Sequence, residues 1–133
     1  MNKIKYFLYF LCVILLSALL ANTAHSETYV AETRPQNIKV YAFSKVLDRW
    51  GEKQWSYFSD LVNRESGWDS EAKNPKSSAC GLGQTMMSLY GKDLPKDFCT
   101  DPYEQIDWTI EYINTRYKLP SKAILFHNQK NYY

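Results

Sequence analysis

One glutamate lies within an otherwise apolar helical pattern, and its position raises a chemical question. Glu65 follows Phe58, Leu61 and Val62 at steps of three and four residues. Because an α-helix repeats every 3.6 residues, this spacing predicts that Glu65 lies on the buried face of a helix. A buried carboxylate is costly unless it is paired or protonated. Glu65 therefore needs either a structural partner or a chemical role.

Both interpretations of Glu65 are compatible with the sequence. As a structural residue it would pair with Arg49, Arg64 or Arg116, or extend to solvent at the helix end. As a chemical residue it would be a general acid. Apolar surroundings raise the pKa of a carboxyl group toward neutrality, and the group can then protonate a leaving oxygen such as that of a glycosidic bond.

A second carboxylate is the usual companion of a glycosidase acid. The helical period places Asp60 on the opposite face from Glu65, where it cannot assist. Asp69 comes just after the helix end, where a loop could return it toward Glu65, so it is a weak candidate. If neither assists, the substrate itself must supply part of the chemistry, as a sugar with a neighbouring nucleophile can.

Two cysteines and one histidine offer a different chemistry. We predict that Cys80 and Cys99 form a disulfide in an oxidising compartment, worth about 3 kcal/mol for a loop of roughly 20 residues. A zinc site would need more ligands than these two cysteines and His127 supply. A free Cys80 thiolate with His127 as its base would instead indicate a thiol peptidase. His127 is otherwise predicted to be a surface or structural histidine.

The residues around these groups predict four main helices. The first spans Ile38 to Trp50, with Val40, Phe43 and Leu47 on its apolar face. The second runs from Lys53 to Ser66 and ends at Gly67. The third starts at Asp101-Pro102-Tyr103-Glu104, a strong helix start, and the fourth starts at Pro120. Apolar residues on two sides of the third helix, namely Ile106, Ile110 and Ile113 against Trp108 and Tyr112, predict a central position.

The chain begins MNKIKYFLYFLCVILLSALLANTAHS, which predicts a signal peptide over residues 1–26, with an uncleaved anchor as the alternative. Residues 27–36 predict a tail or linker, and residues 37–133 a single small domain. The leader holds two lysines and no acid, so 14 basic and 14 acidic residues remain. This balance gives no electrostatic reason to expect nucleic acid as a partner.

Two motifs together resemble a known family. RESGWDSEAKNP at 64–75 and SSACGLGQ at 77–84 resemble the soluble lytic transglycosylase-like domain, a branch of the lysozyme superfamily. The segments QIDWTIEYINTRY at 105–117 and AILFHNQKNYY at 123–133 look like the closing helices of its short secreted members. The resemblance covers about residues 54–133.

The resemblance implies a mainly α, small lysozyme-like domain with a glycan-binding groove. It implies that Glu65 is the sole catalytic acid/base and that Ser66 helps to orient it. The expected reaction cleaves peptidoglycan between N-acetylmuramic acid and N-acetylglucosamine and forms a 1,6-anhydro sugar, without a metal or organic cofactor. The expected groove wall is the run Gly81, Leu82, Gly83 and Gln84, which without the family context would read as an ordinary glycine turn before a short helix through Thr85, Met86 and Met87.

Aromatic residues complete the expected site. Trp68, Tyr90 and Tyr132 are the rings predicted to face sugar. Many relatives have a tyrosine and an asparagine where this chain has Phe126 and His127, so the tyrosine hydroxyl is absent there and Phe126 is the expected substrate contact.

The resemblance also implies where the protein works and with what. We expect a monomer that is exported to the periplasm, the cell wall or the medium, with peptidoglycan strands as substrate and a partner in the cell envelope or a secretion apparatus. A hydrolytic lysozyme and a non-catalytic glycan-binding cell-surface protein are the alternatives.

Overall fold

The structure is a computed structural model that describes residues 37–133. The predicted signal peptide (1–26) and tail (27–36) lie outside the described residues. Among residues 37–133, none of the helices has the length and apolar character needed to cross a membrane.

The described chain is mainly helical, with one small sheet between its second and third helices. The α-helices are α1 (Ile38–Trp50), α2 (Trp55–Ser66), α3 (Met87–Tyr90), α4 (Pro102–Arg116) and α5 (Pro120–Lys130). Single 3-10 turns at Glu52–Gln54 and Phe98–Thr100 precede α2 and α4. Strands β1 (Ala79–Cys80) and β2 (Thr85–Met86) pair antiparallel.

The helix ends follow the local signals in the sequence. Oδ1 of Asp101 accepts hydrogen bonds from the backbone N–H groups of Tyr103 and Glu104, at 2.8 and 3.2 Å, and so caps α4. Gly67 adopts a left-handed conformation (φ 64°) that ends α2 directly after Ser66. The predicted second helix differs only at its start, where Lys53 belongs to a 3-10 turn and the α-helix begins at Trp55.

The buried face of α1 differs from the predicted one. Tyr41, Ala42 and Val46 are buried, whereas Val40 and Leu47 are exposed. The Tyr41 ring packs edge to face on Tyr103 of α4 at 5.0 Å, and its hydroxyl donates to Asp107 of α4 at 2.9 Å. These contacts turn the Tyr41 side of α1 toward α4.

Helix α4 is covered on two sides, as its two apolar stripes predict. Ile106, Ile110 and Ile113 are buried in the core that α1, α2 and α5 also form. On another side, Trp108 and Tyr112 stack with ring centroids 5.0 Å apart, and Tyr90 of α3 packs against both. The helix therefore gives the rest of the fold a fixed support.

The β-hairpin places the glycine-rich segment in a tight loop. Ala79 pairs with Met86 and Cys80 with Thr85, so residues 81–84 form the connection. Thr85 and Met86 are strand residues, and the predicted short helix begins only at Met87. The predicted disulfide between Cys80 and Cys99 is present and ties the hairpin to the turn before α4.

Candidate active site

Glu65 lies in the last turn of α2 with its side chain only 17% exposed. Burial raises the pKa of this carboxyl from 4.5 to about 7. Its Oε1 lies 3.2 Å from Nε2 of His127, which comes from α5. The carboxyl is thus able to hold a proton near neutral pH and to release it.

The arginines considered as partners of Glu65 bind elsewhere. Arg49 pairs with Glu111 and Arg64 with Asp60, each at 2.8 Å. Arg116 donates to the hydroxyl of Tyr112 at 3.0 Å. Helix α2 therefore carries Glu65 into the interior without an arginine to neutralise it, within the part of the chain that the structure describes.

A cleft of about 370 Å³ opens at Glu65. The other lining residues are mostly small, amide or aromatic: Asn74, Ser77, Ala79, Gly83, Gln84, Met86, Asn131, Tyr132 and Tyr133. Among these lining residues Glu65 is the one carboxylate, and no lysine or arginine accompanies it. The cleft therefore suits a polar, uncharged ligand with hydroxyl or amide groups.

Ser66 and Gln105 hold the hairpin loop beside Glu65. The Ser66 hydroxyl donates to the carbonyls of Leu82 and Val62, at 2.9 and 3.2 Å. The N–H of Leu82 donates to Oε1 of Gln105 at 2.9 Å. Leu82 is fully buried, so it anchors the cleft wall from behind and does not face a ligand.

Gln84 adopts a left-handed backbone conformation (φ 48°) at the end of this loop. Its Nε2 donates to the carbonyls of Gly81 and Ala72, at 3.0 and 3.3 Å. Both side-chain hydrogen bonds found within residues 37–133 use the nitrogen, which leaves Oε1 available to a donor on a ligand. The amide is thus fixed in orientation before anything binds.

The two loop glycines are required by close neighbours. A Cβ atom at Gly83 would overlap the Thr109 side chain and lie 3.1 Å from the Tyr133 hydroxyl. A Cβ atom at Gly81 would overlap Gln105, and Gly81 also has a positive φ of 76°. The loop can lie this close to α4 only because both residues lack a side chain.

The aromatic residues predicted to face sugar are divided between the cleft and the core. Tyr132 lines the cleft and is 57% exposed. Phe126 packs against the Tyr132 ring, with ring centroids 5.7 Å apart in an edge-to-face arrangement, and is not itself a lining residue of the cleft. Trp68 instead packs near Trp55, with Lys39 over its ring. Tyr90 packs on the aromatic side of α4.

Asp69, the candidate second carboxylate, does not line the cleft. It is exposed, and its Oδ1 accepts a hydrogen bond from the Glu71 N–H at 2.8 Å, which closes a turn after α2. Its carboxylate has a local structural use instead.

His127, expected at the surface or in a structural role, contacts Glu65 directly, with a side chain only 14% exposed. Burial and the nearby Arg64 guanidinium lower the pKa of His127, and Asp60 acts in the opposite direction. Its Nδ1 is buried and has no hydrogen-bond partner among the described residues. A neutral imidazole is favoured in this setting.

Three residues that the sequence did not single out support the site. Gln105 and Thr109 are buried polar residues on α4, and the hydroxyl of Tyr133 donates to the Gly83 carbonyl at 3.3 Å. Burial, and then the charge of Glu65, raise the pKa of Tyr133, so its hydroxyl stays protonated. The sequence does contain a signal for Gln105 and Thr109, because they are two polar residues on an apolar face of a helix.

Other chemistry finds less support. The disulfide removes the free Cys80 thiol that a peptidase would need. Within residues 37–133 no three His, Cys, Asp or Glu side chains are grouped to bind a metal ion.

A second cavity, of about 430 Å³, lies between α1 and α4 away from Glu65 and is lined by the ion pairs Lys45–Asp107 and Arg49–Glu111.

Comparisons of the chain with protein-family models, with curated proteins and with solved structures find no match.

Proposed function

We propose that this protein is a lytic transglycosylase with a lysozyme-like fold. It cleaves the β-1,4 bond between N-acetylmuramic acid and N-acetylglucosamine in peptidoglycan, and Glu65 is its acid/base. The observation that carries this proposal is that Glu65 is the one carboxylate lining the cleft, with a pKa raised by burial to about 7. The proposal also draws on the resemblance of residues 64–75 and 77–84 to that family.

In the first step Glu65 acts as an acid. Its proton passes to the glycosidic oxygen as the bond from that oxygen to C1 of the muramoyl residue breaks. A pKa near 7 suits this step, because the carboxyl is substantially protonated near neutral pH and can still release its proton. The acetamido group of the same sugar can stabilise the cationic centre at C1.

In the second step the resulting carboxylate acts as a base. It takes the proton of the muramoyl C6 hydroxyl, whose oxygen attacks C1 and closes the 1,6-anhydro ring. Glu65 regains the proton that it gave up, and no water is consumed. One carboxylate is therefore enough, which agrees with the exposed, turn-closing position of Asp69.

The cleft lining supports a glycan as the ligand. Asn74, Gln84 and Asn131 bring amide groups that can pair with sugar hydroxyl and acetamido groups. Gly83 contributes to the cleft lining, and the Tyr132 ring offers an exposed apolar surface for stacking.

The cellular setting belongs to the same proposal. The leader-like residues 1–26 favour export to the periplasm, the wall or the medium, where peptidoglycan strands would be the partner and the protein would act as a monomer. A further partner in the envelope or in a secretion apparatus would direct it to its site of action.

The test is mass spectrometry of sugar fragments released from purified peptidoglycan. We expect the protein to release 1,6-anhydro-muramoyl ends, Glu65→Gln to release none, and the matched control Asp69→Asn to retain activity. Reducing ends would indicate a hydrolytic lysozyme instead. If both the wild-type protein and Glu65→Gln bind peptidoglycan and neither releases sugar fragments, the protein is a non-catalytic glycan-binding protein.

A further inference from the structure

Glu65 and His127 form a close pair across two helices. Oε1 of Glu65, at the end of α2, lies 3.2 Å from Nε2 of His127 on α5. Both side chains are largely removed from water, at 17% and 14% exposure. Such a pair can exist as a carboxylate with an imidazolium or as a carboxylic acid with a neutral imidazole, and the two forms differ only in the position of one proton.

The charged groups around the pair disfavour the imidazolium form. On α2, Arg64 and Asp60 are ion-paired with each other at 2.8 Å, and of these two charges that of Arg64, which lowers the pKa of His127, has the larger effect. Arg64 also donates to Asn128, the residue next to His127, at 2.7 Å. Tyr133, which lines the same cleft as Glu65, keeps a neutral hydroxyl and so offers no charge to the pair.

The unpartnered Nδ1 of His127 also favours the neutral imidazole. An imidazolium carries N–H groups on both nitrogens, and its Nδ1–H would be buried without an acceptor among residues 37–133. A buried donor without an acceptor is unfavourable. The neutral imidazole with its hydrogen on Nε2 avoids that cost and points its one donor nitrogen toward Glu65.

We propose that Glu65 and His127 are a neutral pair and not an ion pair, with His127 as a positioning residue that engages Oε1 and leaves Oε2 to carry the transferred proton. This inference rests on the proposed function of Glu65 as acid/base. In the first step the proton leaves from Oε2. In the second step the Nε2–H of His127 stabilises the carboxylate without becoming charged.

The pair also gives the reaction a lower pH limit. When His127 takes up a proton, its positive charge stabilises the Glu65 carboxylate and makes it a weaker base toward the C6 hydroxyl. The rate should therefore fall at acid pH through His127 and at alkaline pH through loss of the Glu65 proton. A bell-shaped pH profile of kcat follows, and its two limbs report the coupled titration of Glu65 and His127.

A direct titration by NMR tests the proton's position without any turnover. The protein is labelled with ¹³C at glutamate carboxyls and ¹⁵N in histidine rings, and Glu65→Gln and His127→Gln assign the signals. As the pH falls from about 8, we expect the Glu65 carboxyl to be protonated before the His127 ring. An imidazolium that forms while Glu65 is still ionised would overturn the proposal.

Kinetics then test the positioning role. His127→Gln retains an amide donor that cannot become charged, so we expect its kcat profile to lose the acid limb and to keep the alkaline one. His127→Leu provides no donor and should lower kcat by about 10²-fold with little change in KM. Lys122→Gln, an exposed change on the same helix, is the control for both and should leave the profile unchanged.

An acid limb that persists in His127→Gln would contradict the inference. So would a His127→Leu variant that folds, as shown by its circular dichroism, and keeps the wild-type kcat. If the wild-type protein releases no glycan fragments at all, the proposed function fails, but the NMR titration still decides whether the pair is neutral.

Discussion

The backbone N–H of Leu82 donates a 2.9 Å hydrogen bond to Oε1 of Gln105, a side chain that is almost fully buried on α4. Nε2 of the same amide donates to the carbonyls of Phe98 and Ser70, at 2.9 and 3.1 Å. One side chain thus joins the hairpin loop, the turn before α4 and the loop after α2. The position of the cleft wall relative to Glu65 depends on this junction.

Replacing Gln105 by leucine should destabilise the protein strongly. Three backbone groups would lose their partner, two of them buried and one partly buried, and each buried unpaired group costs roughly 1–3 kcal/mol. We expect the free energy of unfolding, measured with urea, to fall by at least about 3 kcal/mol.

The matched control is Gln54→Leu. The Oε1 of Gln54 accepts one hydrogen bond, from the Ser121 N–H at 3.0 Å, at a partly buried position. Its loss should cost about 1 kcal/mol. Equal losses for the two variants would show that Gln105 does not join the three segments.

The contact between Gly83 and Thr109 can be tested by a double-mutant cycle. Gly83→Ala adds a Cβ atom that overlaps the Thr109 side chain, and this overpacking should cost about 1–3 kcal/mol. Thr109→Ala removes the overlapping atoms, so the double variant should recover most of the loss caused by Gly83→Ala. Urea unfolding of all four proteins gives the coupling energy.

Gly81→Ala provides the contrast within the same loop. Its φ of 76° is unfavourable for any residue with a Cβ atom, so removing a neighbour cannot relieve the backbone strain. A Gly83→Ala variant that Thr109→Ala fails to rescue would mean that the overlap with Thr109 does not set its stability.

Local features were predictable from the sequence because their causes lie within a few residues. The bounds of α1, Ile38–Trp50, follow from the helical period and from Gly51, and the start of α4 follows from the capping carboxylate of Asp101. The burial of Glu65 followed from its spacing after Phe58, Leu61 and Val62, and the disulfide from the presence of two cysteines after the predicted signal peptide.

Contacts between distant segments were not predictable in this way. The period of α1 does not say which face α4 will cover, and Val40 and Leu47 are exposed as a result. No local pattern shows that His127 reaches Glu65 or that Tyr133 reaches Gly83, because α5 must first pack on α2. Trp68 was expected in the groove, but its left-handed backbone (φ 66°) and its packing near Trp55 place it outside the cleft lining.

The pH dependence of stability provides a test of the buried Glu65 that needs no substrate. Its pKa is about 7 in the folded protein and 4.5 as the ordinary value, so the folded state binds the proton more tightly. Stability linked to Glu65 is therefore fully present below about pH 4.5 and is lost as the pH rises through 7. Above that pH the buried charge costs roughly 3 kcal/mol.

Glu65→Gln removes this charge while retaining the shape of the side chain. We expect the variant to be more stable than the wild type by up to roughly 3 kcal/mol above neutral pH, and nearly equal to it in acid. Urea unfolding of both proteins from acid to above neutral pH gives the difference in their free energies of unfolding. The titration of other groups largely cancels in this difference. A difference that does not change with pH would show that Glu65 ionises normally.

Binding of a glycan should depend on the ring of Tyr132. This ring is 57% exposed at the cleft and rests on Phe126, so it can stack on a sugar without rearrangement. Tyr132→Ala should weaken binding by about 1 kcal/mol, roughly a fivefold rise in Kd, and Tyr132→Phe should bind almost normally. Calorimetry with short peptidoglycan oligosaccharides, in a Glu65→Gln background that prevents turnover, gives these constants.

The control is Tyr57→Ala, which removes a ring that is 43% exposed on α2 and does not line the cleft. If both alanine variants weaken binding equally, a general loss of stability is responsible; if only Tyr132→Ala does, its ring is part of the binding surface.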